Sequence, residues 1–308
     1  MKILITGAAG FVGSHLFNKM NKIGYEVYGI DNLIRGKLSN LTNKKKFFKI
    51  DIRNKKKINF FFKKYGPFKI VIHQATLINK NLEEENIIED IDLNVCSTIN
   101  LINIAYKFGM KKFVYASSIA VYGKIKKKQV DEVCGTEPIT SYGISKLMTE
   151  KYIKYLSKNR LTKMDYTILR YSNIYGPNQS DLGEVGVIRN FIKKLEKSNT
   201  IFKHGNGKQT RDFIFVTDAV DATIKATLTK HKRLVLNISS NIATSVNSII
   251  SNFRRLIDKK IKIRKKKNHS NEYFYFKSSN KLARLKLKWQ PQVKLNEGIE
   301  LTIKNKNE

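Results

Sequence analysis

Gly7, Gly10 and Gly13 recur at three-residue spacing directly after the apolar run Ile3-Leu4-Ile5. A buried strand that ends in such a turn and runs into a helix has the geometry of a phosphate cradle. The first glycine permits a tight turn, the second lets the backbone approach a pyrophosphate, and the third allows close packing of helix on strand. The helix that begins there offers unpaired N–H groups and the positive end of its dipole to the anion. Asp31 ends the next predicted strand, 18 residues beyond Gly13. A carboxylate at that place accepts hydrogen bonds from both hydroxyls of an adenosine ribose and repels a 2′-phosphate, which selects NAD over NADP. Asp51-Ile52, after the third predicted strand, is placed to flank an adenine, or simply to form a turn.

Tyr142 and Lys146 are four residues apart in Tyr142-Gly143-Ile144-Ser145-Lys146, and so share one face of a helix. A free phenol titrates near ~10 and is a poor base at neutral pH. An ammonium one turn away, together with a positive nicotinamide ring, stabilises the phenolate and brings that value down. An isolated Tyr-x-x-x-Lys reads more naturally as a surface tyrosine beside a solvated lysine. Here Ala116-Ser117-Ser118 adds hydroxyls at the carboxyl end of a predicted strand, where ligands of parallel sheets bind. Such a hydroxyl can hydrogen-bond the substrate oxygen that Tyr142 deprotonates.

These groups need a scaffold that alternates strand and helix. Strands are expected at 2–6, 26–31, 47–50, 70–73, 112–117 and 166–170. Helices are expected at 13–23, 55–65, 94–108 and 140–157. Gly66-Pro67 stops the second helix. This order implies a parallel sheet covered on both faces: an α/β protein, a Rossmann-type doubly wound parallel sheet with a smaller α/β substrate-binding unit. After Tyr171 the loops lengthen and the rhythm becomes irregular. The division expected is a dinucleotide-binding domain over 1–171 and a substrate-binding domain mainly over 172–308, with 213–224 returning to the first. No flexible linker separates them, so the two units pack together.

Composition excludes several classes. No apolar run reaches the ~20 residues that span a bilayer. Two cysteines, Cys96 and Cys134, make no disulfide framework. Cys96 reads as a core residue of its helix, and Cys134 as a loop residue with no activating histidine nearby. The five histidines are scattered without metal-ligand spacing, so no metal is expected. A soluble, reduced, cytoplasmic protein follows. The net charge of +34 invites a polyanion-binding reading. Yet 48 of the 59 basic residues are lysine and only 11 arginine, and asparagine numbers 29. Lys, Asn and Ile have A/T-rich codons, so genome composition accounts for the excess. The lysines are also spread over many runs, such as Lys44–Lys46, Lys55–Lys57 and Lys126–Lys128. A dedicated reader of nucleic acid would use more arginine, so specific nucleic-acid binding is not expected.

Taken together, Thr6 to Gly13, Asp31-Asn32-Leu33, Asp51-Ile52-Arg53, His73-Gln74-Ala75, Asn94-Val95, Ser117 to Gly123, Tyr142 to Lys146, Leu169 to Pro177 and Gly205 to Phe213 span most of the chain. In these blocks it resembles the extended short-chain dehydrogenase/reductases, specifically the NAD-dependent nucleotide-sugar epimerases and dehydratases. The resemblance implies NAD contacts from Gly7, Gly10, Phe11, Val12, Gly13, Asp31, Asn32, Asp51, Ile52, Gln74, Ala75, Asn94, Tyr142 and Lys146. It implies Ser118, Tyr142 and Lys146 as the catalytic group. Ser118, Tyr142, Asn173 and Arg211 would contact a nucleoside-diphosphate sugar, the arginine gripping its diphosphate. It also implies a homodimer built on helices 94–108 and 140–157.

Dehydratases and decarboxylases of the group carry acids directly after the catalytic hydroxyl. Ile119 and Ala120 stand there in this chain and cannot move protons. Simple epimerisation is therefore favoured, and the Asp31 to Gly36 stretch and the Ser-x-x-Val-Tyr-Gly run look most like UDP-glucose 4-epimerases. Other expectations in the same family are a different epimerase, a dehydratase or a reductase, and outside catalysis a plain NAD-binding protein. One block departs from the pattern. The family usually has Arg-Pro-Gly-Asp about twenty residues before Leu-Gly-Trp-x-Pro. The later block is present as Leu287-Lys288-Trp289-Gln290-Pro291, whereas Asn268-His269-Ser270-Asn271 stands near the place of the earlier one. Lys265, Lys266 or Lys267 are the candidates to replace its arginine as point charges.

Overall fold

The computed structural model describes residues 1–78, 84–124, 129–158, 163–181, 186–257, 260–266 and 276–305. The expected Asn268–Asn271 replacement, Lys267 and the Lys126–Lys128 run lie outside the described residues. In chain order the elements are β1 (Ile3–Thr6), α1 (Phe11–Lys22), β2 (Val27–Asp31), β3 (Phe47–Lys49), α2 (Lys55–Tyr65) and β4 (Ile70–His73). Next come α3 (Glu84–Ile91), α4 (Ser97–Lys107), β5 (Lys112–Ser118), α5 (Ser141–Lys158), β6 (Asp165–Tyr171) and β7 (Asn173–Tyr175). The remainder are α6 (Val187–Lys197), β8 (Thr200–His204), β9 (Thr210–Phe215), α7 (Val216–Leu228), β10 (Leu234–Ile238), β11 (Ala243–Ser245), α8 (Val246–Leu256), β12 (Lys262–Lys266), α9 (Lys281–Leu287) and α10 (Leu295–Lys304).

Seven strands form one parallel sheet in the order β10-β6-β5-β4-β1-β2-β3. Side chains alternate across it as strand pleating requires. Ile3 and Ile5 pack on one face with Leu16 and Phe17 of α1 and Val220 of α7. Leu4 packs on the other with Phe61 and Phe62 of α2, Leu101 of α4 and Ile153 of α5. Helices therefore cover both faces, which is the doubly wound α/β architecture. The strand order reverses between β1 and β4, so a crevice opens where both carboxyl ends, Thr6 and His73, meet.

The helix expected over 94–108 is preceded by α3, and the two are joined by a π-helical turn at Asp92–Cys96. In that turn the Asn94 carbonyl accepts from both Thr98 and Thr149 hydroxyls, each at 3.0 Å. Cys96 is exposed, not part of the core as its helical position had suggested; it takes the outward position of a turn whose Leu93, Asn94 and Val95 are the buried ones.

Beyond Tyr171 the chain builds a three-stranded sheet, β11-β9-β7, and a two-stranded one, β12-β8. It also returns to the large sheet. Helix α7 joins the face that carries α1, and β10 becomes the edge strand beside β6. The Leu287–Pro291 block anchors the later segments on α7: Trp289 Nε1 donates to the Asp218 carbonyl at 3.1 Å, and the Asp218 carboxylate accepts from Gln292 and Val293 N–H at 3.0 Å each. Among the described residues no helix is long and apolar enough to cross a membrane.

Candidate active site

The glycine turn sits at the crevice. Gly7 has φ +67°, and a Cβ there would lie 2.6 Å from Ala75 N, so the β1 turn and the Gln74–Ala75 exit of β4 touch through glycine backbone. A Cβ on Gly13 would come within 1.9 Å of the Gly7 carbonyl, which fixes α1 against the turn. Gly10 is different: a Cβ there meets only the Gly7 carbonyl, at 3.2 Å, and otherwise open space. Helix α1 starts after Gly10 with no side-chain cap and no acid in its first turn. Its first N–H groups thus face room for an anion. Phe11 and Val12 open that helix.

Asp31 is buried at the end of β2 and accepts from Ala9 N at 3.1 Å and Leu33 N at 2.8 Å. Burial pushes its carboxyl above the usual range, opposed by the backbone donors of Leu33, Ala9 and Gly10. Gly36 is needed beside it, because a Cβ there would stand 3.0 Å from Asp31 Oδ1. Asp51 is held by its neighbours: Arg53 donates from Nε at 3.1 Å and Nη2 at 2.8 Å, and Asn32 Nδ2 donates at 3.0 Å. The Arg53 bonds take its carboxyl down to about 2. Ile52 is buried behind it. Gln74 donates to the Tyr171 hydroxyl at 3.2 Å, and Ala75 N to Thr6 Oγ1 at 3.3 Å. An uncapped helix start, an open glycine and a buried ribose-side carboxylate around one crevice fit a dinucleotide diphosphate and its adenosine.

Asn94, also expected at the cofactor, is tied to the loop after β4. Its amide oxygen accepts from Thr76 Oγ1 at 2.9 Å and Leu77 N at 3.0 Å, and its nitrogen donates to the Leu77 carbonyl at 2.8 Å and to Asp90 at 2.6 Å. With both ends of the amide engaged, it supports the loop after β4.

Ser118 is the last residue of β5, and its Oγ accepts from Ala120 N at 3.1 Å. Ile119–Tyr122 then forms a 3₁₀ turn. Tyr142 lies in the first turn of α5, and this turn is pressed onto that one: a Cβ on Gly143 would be 2.7 Å from the Ala120 carbonyl. The glycine between Tyr142 and Ile144 thus lets the phenol helix approach the serine strand. Lys146 is 1% exposed. Its Nζ donates to the Ala116 carbonyl at 2.8 Å and lies 5.4 Å from the Tyr142 ring centre and 4.9 Å from that of Tyr115. Burial takes the ammonium down to about 7, with Asp90 and Glu150 pulling the other way.

Asn173 and Arg211 lie on adjacent parallel strands of the small sheet, where Asn173 pairs with Phe213. Asn173 Nδ2 donates to the Asp212 carbonyl at 2.9 Å, and Arg211 Nη1 to the Thr210 carbonyl at 2.8 Å. Between Arg211 and Phe213, buried Asp212 gathers Ser240 N and Oγ, Asn241 N and Ser278 N. Burial outweighs these bonds and raises its carboxyl to about 6.

Three buried charges at the site escaped the reading from motifs: Asp90, Glu150 and Arg170. Arg170 clasps Glu150 through Nε at 3.0 Å and Nη2 at 2.7 Å, and Ser117 donates to the same carboxylate at 2.6 Å. No local spacing announces the Arg170–Glu150 pair, because the two stand 20 positions apart on β6 and α5. Asp90 bonds Asn94 four residues on, but its Ser141 and Ser145 partners are brought to it only by the tertiary packing of α3 on α5.

The sequence matches the NAD-dependent epimerase/dehydratase family over residues 3–239. The chain belongs to this family. It is an NAD-dependent enzyme, and the glycine turn and Asp31 provide a crevice suited to that cofactor. A putative UDP-glucose 4-epimerase of Methanocaldococcus jannaschii is 39% identical over 99% of both chains. A UDP-N-acetyl-alpha-D-glucosaminuronate decarboxylase of Bacillus cytotoxicus is 34% identical, over 85% of this chain and 82% of the relative. Among solved structures, the UDP-glucose 4-epimerase of Thermotoga maritima with UDP-glucose superposes with a TM-score of 0.93 at 30% identity, covering 100% of this chain and 99% of the other. The family's nucleotide-sugar epimerase chemistry is thus the frame for this site, and its relatives differ in the reaction they catalyse.

Proposed function

We propose that the protein is a nucleotide-sugar 4-epimerase that acts on a UDP-linked hexose, glucose/galactose or the N-acetyl equivalents, through a transient 4-keto sugar. The observation that carries this reading is the pairing of a buried Lys146 with Tyr142 beside a Ser118 whose two following residues are Ile119 and Ala120. The pair can exchange one proton with a sugar hydroxyl. The two apolar residues offer no second acid or base for elimination.

NAD, when bound, supplies a reversible hydride acceptor at the sugar carbon. Tyr142, as phenolate, takes the proton from the 4-hydroxyl and later returns it. Lys146 holds the phenolate by charge at close range. Ser118 donates to the same oxygen as its negative charge develops. Asn173 and Arg211 would keep the diphosphate in place while the keto sugar turns over, so that the second transfer reaches the opposite face. Substrate and product are epimers at the same oxidation level, so the overall conversion needs no added oxidant or reductant.

The test is conversion of UDP-galactose or UDP-N-acetylgalactosamine at C4 by purified protein without added NAD. Tyr142→Phe should lower the rate by about 10³-fold, within the usual range for a lost general base. Turnover of a CDP- or dTDP-sugar alone would show the nucleotide to be wrong. Release of carbon dioxide or of a 4-keto-6-deoxy product would show the reaction to be wrong.

The protein would work as a homodimer. Ile144, Met148, Tyr152 and Tyr155 follow one another on α5 at helical spacing and are 38–66% exposed. Ile87, Ile88 and Ile91 of neighbouring α3 are exposed too. A second copy packed on this face covers the apolar residues, as a solvated helix face would not require.

A further inference from the structure

The first turn of α5 is held from behind by one carboxylate. Asp90, at the end of α3, is 2% exposed. Its Oδ2 accepts from the hydroxyls of Ser141, at 3.3 Å, and Ser145, the residues immediately before Tyr142 and Lys146. Its Oδ1 accepts from Asn94 Nδ2 at 2.6 Å, and Asn94 in turn holds Thr76 and Leu77 of the loop after β4. A single buried carboxylate thus joins the proton-transfer helix to a loop of the cofactor crevice.

We propose that Asp90 is a positioning residue for the reaction, seating the Tyr142–Lys146 turn through Ser141 and Ser145 and acting as the counter-charge that keeps Lys146 cationic. The proposal rests on the reading of Tyr142 and Lys146 as the proton-transfer pair. The charges around Lys146 are unequally matched. Nζ lies against the Tyr115 ring and the Ala116 carbonyl of β5 and the Tyr142 ring of its own helix, and the titratable groups that act on it by charge are Glu150 of its own helix, His73 of β4 and Asp90 of α3. His73 is fully buried between Thr6 and Thr98 hydroxyls, and burial takes it down to about 3, so it is neutral. Glu150 is clasped by Arg170 of β6 and approached at 4.0 Å by Lys154, so its charge is already matched. Asp90 accepts only from neutral groups, and among the described residues it forms no ion pair. Asp90 and Glu150 both oppose the desolvation of the ammonium, and of the two Asp90 is the one whose charge no cation already matches.

The experiment compares pH profiles of kcat/KM for the holoenzyme and for Asp90→Asn, which keeps the shape of the side chain and deletes its charge. The limb on which activity is lost as Lys146 deprotonates should move acidward by roughly one pH unit, the size of effect a near charge produces. A readout free of turnover is the pH at which the urea midpoint begins to rise relative to a Lys146→Met control made in the same background. It should move by the same amount. Ser145→Ala removes one donor and keeps the charge, so it should leave the limb in place or move it to higher pH. An Asp90→Asn protein that loses activity equally at every pH, with limb and midpoint unmoved, would make Asp90 a structural clamp only and overturn the proposal. If Asp90→Asn does not fold, Asp90→Ser is read in the same way: a limb and midpoint unmoved in that variant overturn the proposal. Tyr142→Phe run beside them separates the two readings, because full activity there defeats the proton-transfer assignment, whatever Asp90 does.

Discussion

Lys146 shows how much a single buried side chain can couple chemistry to stability. Its ammonium is sealed under Tyr142 and Tyr115, and burial brings it to about 7 from an ordinary 10.5. Between those values the unfolded chain binds a proton at this site that the folded chain does not, so stability rises with pH across that window. Below about 7 both states are protonated and the dependence vanishes. Wild type should therefore gain stability over Lys146→Met as pH rises from about 7 towards 10, as read by urea midpoints at each pH. A flat difference would mean that the lysine is better solvated than its burial indicates. The same desolvation makes the ammonium responsive to its neighbours.

At the scale of elements, the glycines with a structural reason are those at contacts. Gly123 has φ +66° and its Cβ position is 1.5 Å from the Glu137 carbonyl, so the segment after Ser118 can lie on the loop that leads into α5. Where the family's Leu-Gly-Trp-x-Pro block calls for glycine, this chain has Lys288, in the left-handed region at φ +47°. Its carbonyl accepts from Lys225 Nζ at 2.6 Å, which ties the α9 exit to α7. An L-residue in that region costs on the order of 1 kcal/mol. Lys288→Gly should therefore stabilise the protein by about 0.5 kcal/mol after the extra freedom of the unfolded chain is subtracted. Thermal unfolding measures it, and a lower melting temperature would show that the lysine side chain contributes more than its backbone costs.

For the whole molecule, the exposed stripe on α5 bears on assembly. Replacing Met148 and Tyr152 together by Glu should halve the sedimenting mass if two copies meet there, since buried like charges across a two-fold axis are unfavourable. An unchanged mass would send the dimer contact elsewhere, or show that the protein acts alone. The +34 net charge lies over the same molecule. The Lys262–Lys266 edge is exposed at Lys262, Arg264, Lys265 and Lys266, with Lys266 Nζ 4.7 Å from the Phe202 ring centre. Lys265 and Lys266, suggested as stand-ins for the missing arginine, lie on this exposed strand, paired with β8.

The strand–helix alternation through Tyr171 was legible in the chain, because each element there buries one face or both and must repeat with its own period. The glycine turn, Asp31 and the Tyr142–Lys146 step were legible for a related reason: their chemistry depends on spacing within one turn or one strand–helix unit. Residues whose role depends on distant partners left no such trace. Asp90 meets Ser145 across 55 positions, and Arg170 meets Glu150 across 20. Asn94, expected at the cofactor, also has an amide bonded at both ends by the protein, which its sequence position did not show. Strand β10 pairs with β6 from 67 positions away, after an interval in which the chain builds the small sheets. Local sequence could determine what each segment becomes; only tertiary packing decided which buried charges face one another, because a charge is matched by whatever the fold sets beside it.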